Sequence, residues 1–314
     1  MKVYECNLII IFLYGRTTKK IILLLSILFI SVLHADTVKI QKTQVPGYYR
    51  FMVGSYEVTS IYDGYSNLPL DTYKGIDAAN AEAIIKKEYS HISGSGKDFS
   101  FKVSVNTFLI NTGKELILVD TGSGNSMGPA TGAVKKNIEM AGYKPEDITK
   151  IIFTHLHPDH VGGLAEGGKQ VYPNAVIYAN EKEMDFWMNN SDFNKEFKDI
   201  LNTYKNNKKY KALKDGTEIA AGIKGVLLPG HTIGHMGYEI TSGGQKLLIW
   251  GDITHGYEVQ FANPDVTTAY DYDQNQAKET RKALMAKVSD EGTMTAGSHL
   301  PFPGLGHVAP NADG

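Results

Sequence analysis

Lys150-Ile151-Ile152-Phe153-Thr154-His155-Leu156-His157-Pro158-Asp159-His160 is the stretch on which the reading of this chain turns. An apolar run leads directly into His155, His157, Asp159 and His160, four candidate metal ligands within six residues. Imidazoles and carboxylates are poor occupants of an apolar core unless they are paired or coordinated. A strand that ends in such a loop displays them together, so a metal site is the leading reading, set against a chance polar loop or a structural zinc.

Working outward, three further candidates each close an apolar run. Val226-Leu-Leu-Pro-Gly-His231 leads to His231, Lys246-Leu-Leu-Ile-Trp-Gly-Asp252 to Asp252, and Met294-Thr-Ala-Gly-Ser-His299 to His299. Ligands on strand ends can converge at one rim of a sheet. Seven nitrogen and oxygen donors exceed what one tetrahedral zinc takes and suit two ions bridged by a carboxylate. Asp120 and His235 read as residues that orient ligands, and His91 and His307 as ordinary surface histidines.

The chain has 314 residues, 42% hydrophobic and 21% charged, with a net charge of −2. That is an ordinary globular composition without the basic bias of a nucleic-acid binder. Its single cysteine, Cys6, precedes residue 36, which leaves any ion to nitrogen and oxygen ligands. Arg16-Thr-Thr-Lys-Lys20, the apolar Ile21 to Leu33 and the small Ala35 follow the order of a secretory signal. The thirteen-residue apolar run is short of the roughly 20 residues that span a bilayer. Residues 1–35 are therefore expected to be a signal peptide with an unusual apolar extension ahead of it. Residues 36–314 are expected to form a single domain, exported to the periplasm or secreted, with no stable membrane anchor after processing.

Candidate strands are Tyr56 to Tyr62, Val105 to Asn111, Leu116 to Asp120, Ile151 to Thr154, Ala175 to Ala179, Gly225 to Leu228, Gly237 to Thr241 and Lys246 to Gly251. Candidate helices are Ala78 to Tyr89, Gly128 to Ala141, Glu181 to Met188 capped by Asn180, Asp192 to Tyr204, and Asn275 to Ser289. Asn111-Thr-Gly113 and Ser242-Gly-Gly244 read as hairpin turns. Hairpins mixed with helical crossovers imply an α/β fold of mixed sheets covered by helices. The lysines between Lys205 and Lys211 read as a solvated helix end.

With these residues in place, the chain resembles the metallo-β-lactamase superfamily, whose HxHxDH motif matches His155, His157, Asp159 and His160. Asp120-Thr-Gly122, His231-Thr-Ile-Gly-His235, Gly251-Asp252 and His299 follow in the expected order. The resemblance implies an αββα sandwich with a binuclear metal site at one edge of the sheets. By the family pattern His155, His157 and His231 hold one ion, Asp159, His160 and His299 the other, and Asp252 bridges. Zinc is the first expectation, with manganese, cobalt or iron as alternatives. The implied chemistry is hydrolysis by a metal-bridging hydroxide, in which Asp159 or Asp252 orients the nucleophile and carries a proton.

Pro46-Gly-Tyr-Tyr-Arg50, Ser104-Val-Asn-Thr-Phe-Leu-Ile110, Asp185-Phe-Trp187 and His299-Leu-Pro-Phe-Pro-Gly304 are similar to the branch containing methyl parathion hydrolase and exported lactonases. That branch implies a small lactone or ester substrate, promiscuity toward organophosphate triesters, a homodimer and no nucleic-acid partner. Its apolar pocket wall maps onto Met127, Trp187, Tyr204 and His255. Met127 and His255 depart from the bulkier or aliphatic residues of the branch, which weakens the organophosphate expectation relative to the ester one. Two other activities share the motif: a β-lactamase, and a persulfide dioxygenase with a single iron.

Overall fold

Leu116-Ile-Leu-Val119 is buried along its whole length, an apolar run without alternation. Such a strand forms where both faces of a sheet are covered, and its neighbours follow the same rule. Phe108, Ile110, Ile117, Val119 and Ile152 face one hydrophobic cluster, whereas Leu109, Leu118 and Ile151 face another. In the second half of the chain Leu247 and Ile249 join the first of these clusters, and Leu248 and Trp250 face a third. The period-2 alternation thus divides apolar residues between two layers on every central strand.

The structure, a computed structural model, describes residues 39–88, 92–93 and 100–310. The expected signal segment and His91 lie outside the described residues. Val45–Gly314 forms one compact unit, and residues 39–44 carry no helix or strand.

An eight-stranded sheet runs in the order Tyr48–Val53, Tyr56–Pro69, Ser100–Asn111, Leu116–Val119, Lys150–Ile152, Val176–Asn180 and Tyr210–Leu213, with the short Ile92–Ser93 also paired to Ser100–Asn111. Pairing is antiparallel up to Leu116–Val119 and parallel beyond it. A six-stranded sheet follows: Glu218–Ala220, Ile223–Leu227, Met236–Ser242, Gln245–Ile249, Met294–Ala296 and Leu305–His307. The two sheets share the cluster that contains Val58, Phe108 and Ile117 on one side and Ile223, Tyr238 and Ile249 on the other. Ile138, Met184, Phe197 and Leu201 from three helices cover the outer face of the first sheet. Leu284 and Val288 of Gln274–Asp290 cover the second. The expected αββα sandwich is the observed architecture.

All eight expected strands form, several of them longer than expected, and both hairpins close as read. Gly243 and Gly244, with φ of 54° and 77°, make the left-handed turn between Met236–Ser242 and Gln245–Ile249. Asn180 caps its helix by accepting from Lys182 N. The Gly128 to Ala141 expectation is corrected, since the helix spans only Val134–Met140. Gly128 and Gly132 take φ of 86° and 92°, and Asp63 accepts from the amides of Gly132 and Val134. Residues 128–133 are therefore a loop pinned to a buried carboxylate.

The sheets meet at one rim through the backbone: Met236 N donates to Thr154 O, and Asn106 N to Ser298 O, both at 2.8 Å. The loops after Leu116–Val119, Lys150–Ile152, Ile223–Leu227, Gln245–Ile249 and Met294–Ala296 all open there. Ile249→Ala, which empties space between the sheets, is expected to cost on the order of 2–5 kcal/mol. Denaturant unfolding checks it, with Met52→Ala on the exposed face of an edge strand expected to change little.

Candidate metal centre

The histidines reach the rim because short, strained backbone places them there. Asp120, the first residue past its strand, has φ of 59°, a left-handed conformation that costs a non-glycine residue about 1–3 kcal/mol. Its carboxylate accepts from Thr154 N at 2.8 Å, Thr154 Oγ1 at 2.7 Å and His160 Nδ1 at 2.8 Å. It holds the start of the ligand loop and the orientation of one histidine together, which is the orienting role expected of it. Gly251 takes φ of 59°, and a Cβ there would lie 2.6 Å from His235 Nε2. Only glycine lets Asp252 follow immediately.

Three ring nitrogens converge: His157 Nδ1 lies 3.0 Å from His155 Nε2 and 3.0 Å from His231 Nε2. Burial, reinforced by the neighbouring rings, holds His155 and His157 well below the ordinary imidazole range. They are neutral, with lone pairs available. A second group joins Asp159, His160, Asp252 and His299, and in each group the donor atoms lie within 4.8 Å of one another. Asp252 reaches both groups. Its oxygens lie 3.0 Å from His299, 3.3 Å from His160, 3.5 Å from His231 and 3.6 Å from His155. His160 Nε2 and Asp252 Oδ1 are buried and make no hydrogen bond. Burial opposes protonation of His299, but Asp252 and Asp159 overcome it and carry its pKa to about 10. The two carboxylates thus favour positive charge at this point, as a bound cation would supply it, and the donor set fits divalent ions.

Further residues fix the candidate ligands and the loops that carry them. His231 Nδ1 donates to Asp271 Oδ1 at 2.8 Å. Although burial would raise the Asp271 pKa, that bond keeps it below the usual carboxylate range. Arg281, itself buried, holds the surrounding loop by donating to Ile253 O, Pro264 O and Val266 O. His299 Nδ1 donates to Ser104 O at 2.9 Å. His235, read as an orienting residue, donates from Nδ1 to Leu228 O and accepts Asp252 N on Nε2, each at 3.0 Å. Asp271 and Arg281 escaped the sequence reading, since nothing local marks Asp271 as a partner of a residue 40 positions away or Arg281 as a donor to carbonyls 15 to 28 positions away.

A cavity of about 310 Å3 opens over the cluster. Met127 and His255 line it, with Leu68, Val103 and Tyr270. His255 Nε2 lies 3.3 Å from Asp252 Oδ2, which adds an imidazole to that carboxylate's surroundings. Trp187 does not line the cavity. It stands behind His157, with ring centroids 5.4 Å apart, and donates to Glu183 Oε1 at 2.6 Å. Tyr204 is corrected outright: it is fully buried, donates to Tyr172 O and packs in the core beneath the first sheet. The spacing Phe197, Ile200, Leu201, Tyr204 marks it as a core face of its helix.

The Metallo-beta-lactamase superfamily profile matches residues 101–299. The chain belongs to this superfamily. Among solved superfamily structures, the hydrolase AbOPH is 34% identical with a TM-score of 0.81, covering 86% of this chain and 96% of that one. AidC, a dizinc quorum-quenching lactonase in complex with a product, N-hexanoyl-L-homoserine, is 30% identical with a TM-score of 0.77, covering 85% and 95%. The lactamase-like protein adaB of Aspergillus niger is 30% identical over 159 residues, 49% of this chain and 41% of that protein. The matched part thus spans less than half the length of that curated relative. An N-acyl homoserine lactonase from a Bacillus species is 29% identical over 147 residues, 41% of this chain and 54% of that one. The superfamily neighbours are metal-dependent hydrolases.

Asp271→Ala, which strips His231 of its acceptor, is expected to weaken divalent-metal binding about 10–100-fold, read by competition with a chromophoric chelator. His235 supplies a pH dependence. Burial and the nearby His231 push its pKa down from 6.5 to about 3, so the folded state favours the neutral ring. Its stabilising contribution is complete above pH 6.5 and is lost as pH falls toward 3. Unfolding midpoints of metal-stripped protein across that interval should fall less steeply in His235→Asn than in the wild type.

Proposed function

We propose that this chain is a binuclear metal-dependent hydrolase of neutral lactones and carboxylic esters. The observation that carries the reading is the cavity above the donor cluster: no lysine or arginine is among the described residues that line it. Its walls are apolar at Leu68, Val103, Met127 and Tyr270, and at about 310 Å3 it is at the small end of ligand sites. It suits an uncharged ring or ester with a short apolar substituent. A β-lactam carries a carboxylate, which finds no lysine or arginine among the described lining residues. AidC and the Bacillus relative, both named as lactonases, support the same substrate class.

In this reading His155, His157 and His231 hold one divalent ion, Asp159, His160 and His299 the other, and Asp252 both. The ions, when bound, polarise the scissile carbonyl and make water acidic enough to supply a nucleophile near neutral pH. Asp252, its backbone fixed by His235, sets the spacing of the two groups. Asp159, the more exposed carboxylate, faces the cavity and can take the proton released when water adds to the carbonyl carbon. When the C–O bond breaks, it returns that proton to the leaving alkoxide. Met127, Tyr270 and His255 shape the space for the acyl and alkoxy portions, and Trp187 backs His157.

The basic patch at Arg16 to Lys20 and the apolar run to Leu33 support export to the periplasm or medium. Zinc suits these histidine and carboxylate groups, with manganese, cobalt or iron as alternatives.

A screen on metal-replete protein tests the reading. Acyl-homoserine lactones, δ-lactones and aryl esters are expected to exceed paraoxon and nitrocefin in kcat/KM, and chelation is expected to abolish turnover until divalent metal is restored. Nitrocefin as the best substrate would overturn it. A single bound iron with oxygen consumption on a persulfide would favour the dioxygenase instead.

A further inference from the structure

Glu183 is a carboxylate with no exposure, and among the described residues no cation accounts for it: the groups that lower its pKa against the cost of burial are hydrogen-bond donors. Leu156 N donates to Oε1 at 3.1 Å and Trp187 Nε1 to the same atom at 2.6 Å, while Gly234 N donates to Oε2 at 3.0 Å. Leu156 lies between His155 and His157, and Gly234 follows His231. One buried carboxylate therefore ties together the two loops that supply all three histidines of the first group.

The packing shows the same clamp independently. A Cβ on Gly234 would meet Asn180 Oδ1 at 2.6 Å and Glu183 Cβ at 2.7 Å, so the glycine is what lets the His231 loop close onto the Glu183 helix. A buried unpaired carboxylate is costly unless every acceptor position is used, and here donors from both histidine loops use them.

We infer that Glu183, with Gly234, is the positioning device of the first metal group: it sets the separation of His157 from His231 and thereby the affinity of that group for a divalent cation. The inference rests on the binuclear metal reading. A glutamine at 183 keeps the shape but turns an amide NH2 toward donors. It can satisfy one loop and repels the other.

The test is zinc affinity and stoichiometry of the metal-stripped full chain, by competition with a chromophoric chelator, beside metal-free thermal unfolding. Glu183→Gln is expected to weaken the tightest site tenfold or more and to shrink the rise in Tm that zinc produces. Gly234→Ala, which forces the loop off Glu183, is expected to do the same. Glu279→Gln, exposed on the last helix, is expected to match the wild type. If Glu183→Gln does not fold, Gly234→Ala decides. Wild-type zinc affinity in a folded variant, even one with a lowered metal-free Tm, overturns the inference and leaves Glu183 a packing residue. Failure of the wild-type chain itself to take up a divalent ion overturns the metal reading, and this inference with it.

Discussion

Seven polar side chains crowded at one rim, several with ring nitrogens 3.0 Å apart, are the constraint around which the molecule is organised. Left to itself such a cluster would rotate its rings apart. What prevents this is a set of hydrogen bonds on the far side of each ligand: Asp271 on His231, Asp120 on His160, Ser104 O on His299 and the His235 ring on the Asp252 amide. Those partners are themselves fixed by backbone donors or buried groups, so the stiffness of the site is inherited from the sheets. The energy that sustains the arrangement comes from elsewhere, chiefly the apolar layer between the two sheets.

The outer partners also explain why the ligand rings hold definite tautomers. A ring that donates from Nδ1 to a carbonyl or carboxylate presents an unprotonated Nε2 to the centre. His231, which donates to Asp271, is arranged in this way. His157 is turned the other way, with Nδ1 toward the other two rings.

Much of this was legible in the sequence because the fold and the ligands are written locally. Apolar runs ending in histidine or aspartate mark strands that stop at a rim, and the density of His155 to His160 has no packing rationale. What was not legible depends on approach in space. Asp271 meets His231 across 40 residues, and no periodicity reports it. Glu183 left a faint trace, a glutamate on the same helical face as Met184 and Trp187, where an apolar residue would serve packing better. Tyr204 was legible and was misplaced, since its spacing from Phe197, Ile200 and Leu201 already assigns it to the core. The helix expected from Gly128 failed because φ above zero at Gly128 and Gly132, and a carboxylate drawn in from Asp63, compete with helical hydrogen bonds.

The backbone bonds that join the sheets at the rim, Met236 to Thr154 and Asn106 to Ser298, bear on how the chain acquires its ions. His155, His157, Asp159 and His160 follow strands of the first sheet, while His231, Asp252 and His299 belong to the second. Neither donor group is complete within one half, so a nascent chain with only its first sheet folded has two histidines where three are needed. Each donor group therefore comes together only where the two sheets meet, so the geometry of the candidate centre depends on contacts that are distant in sequence.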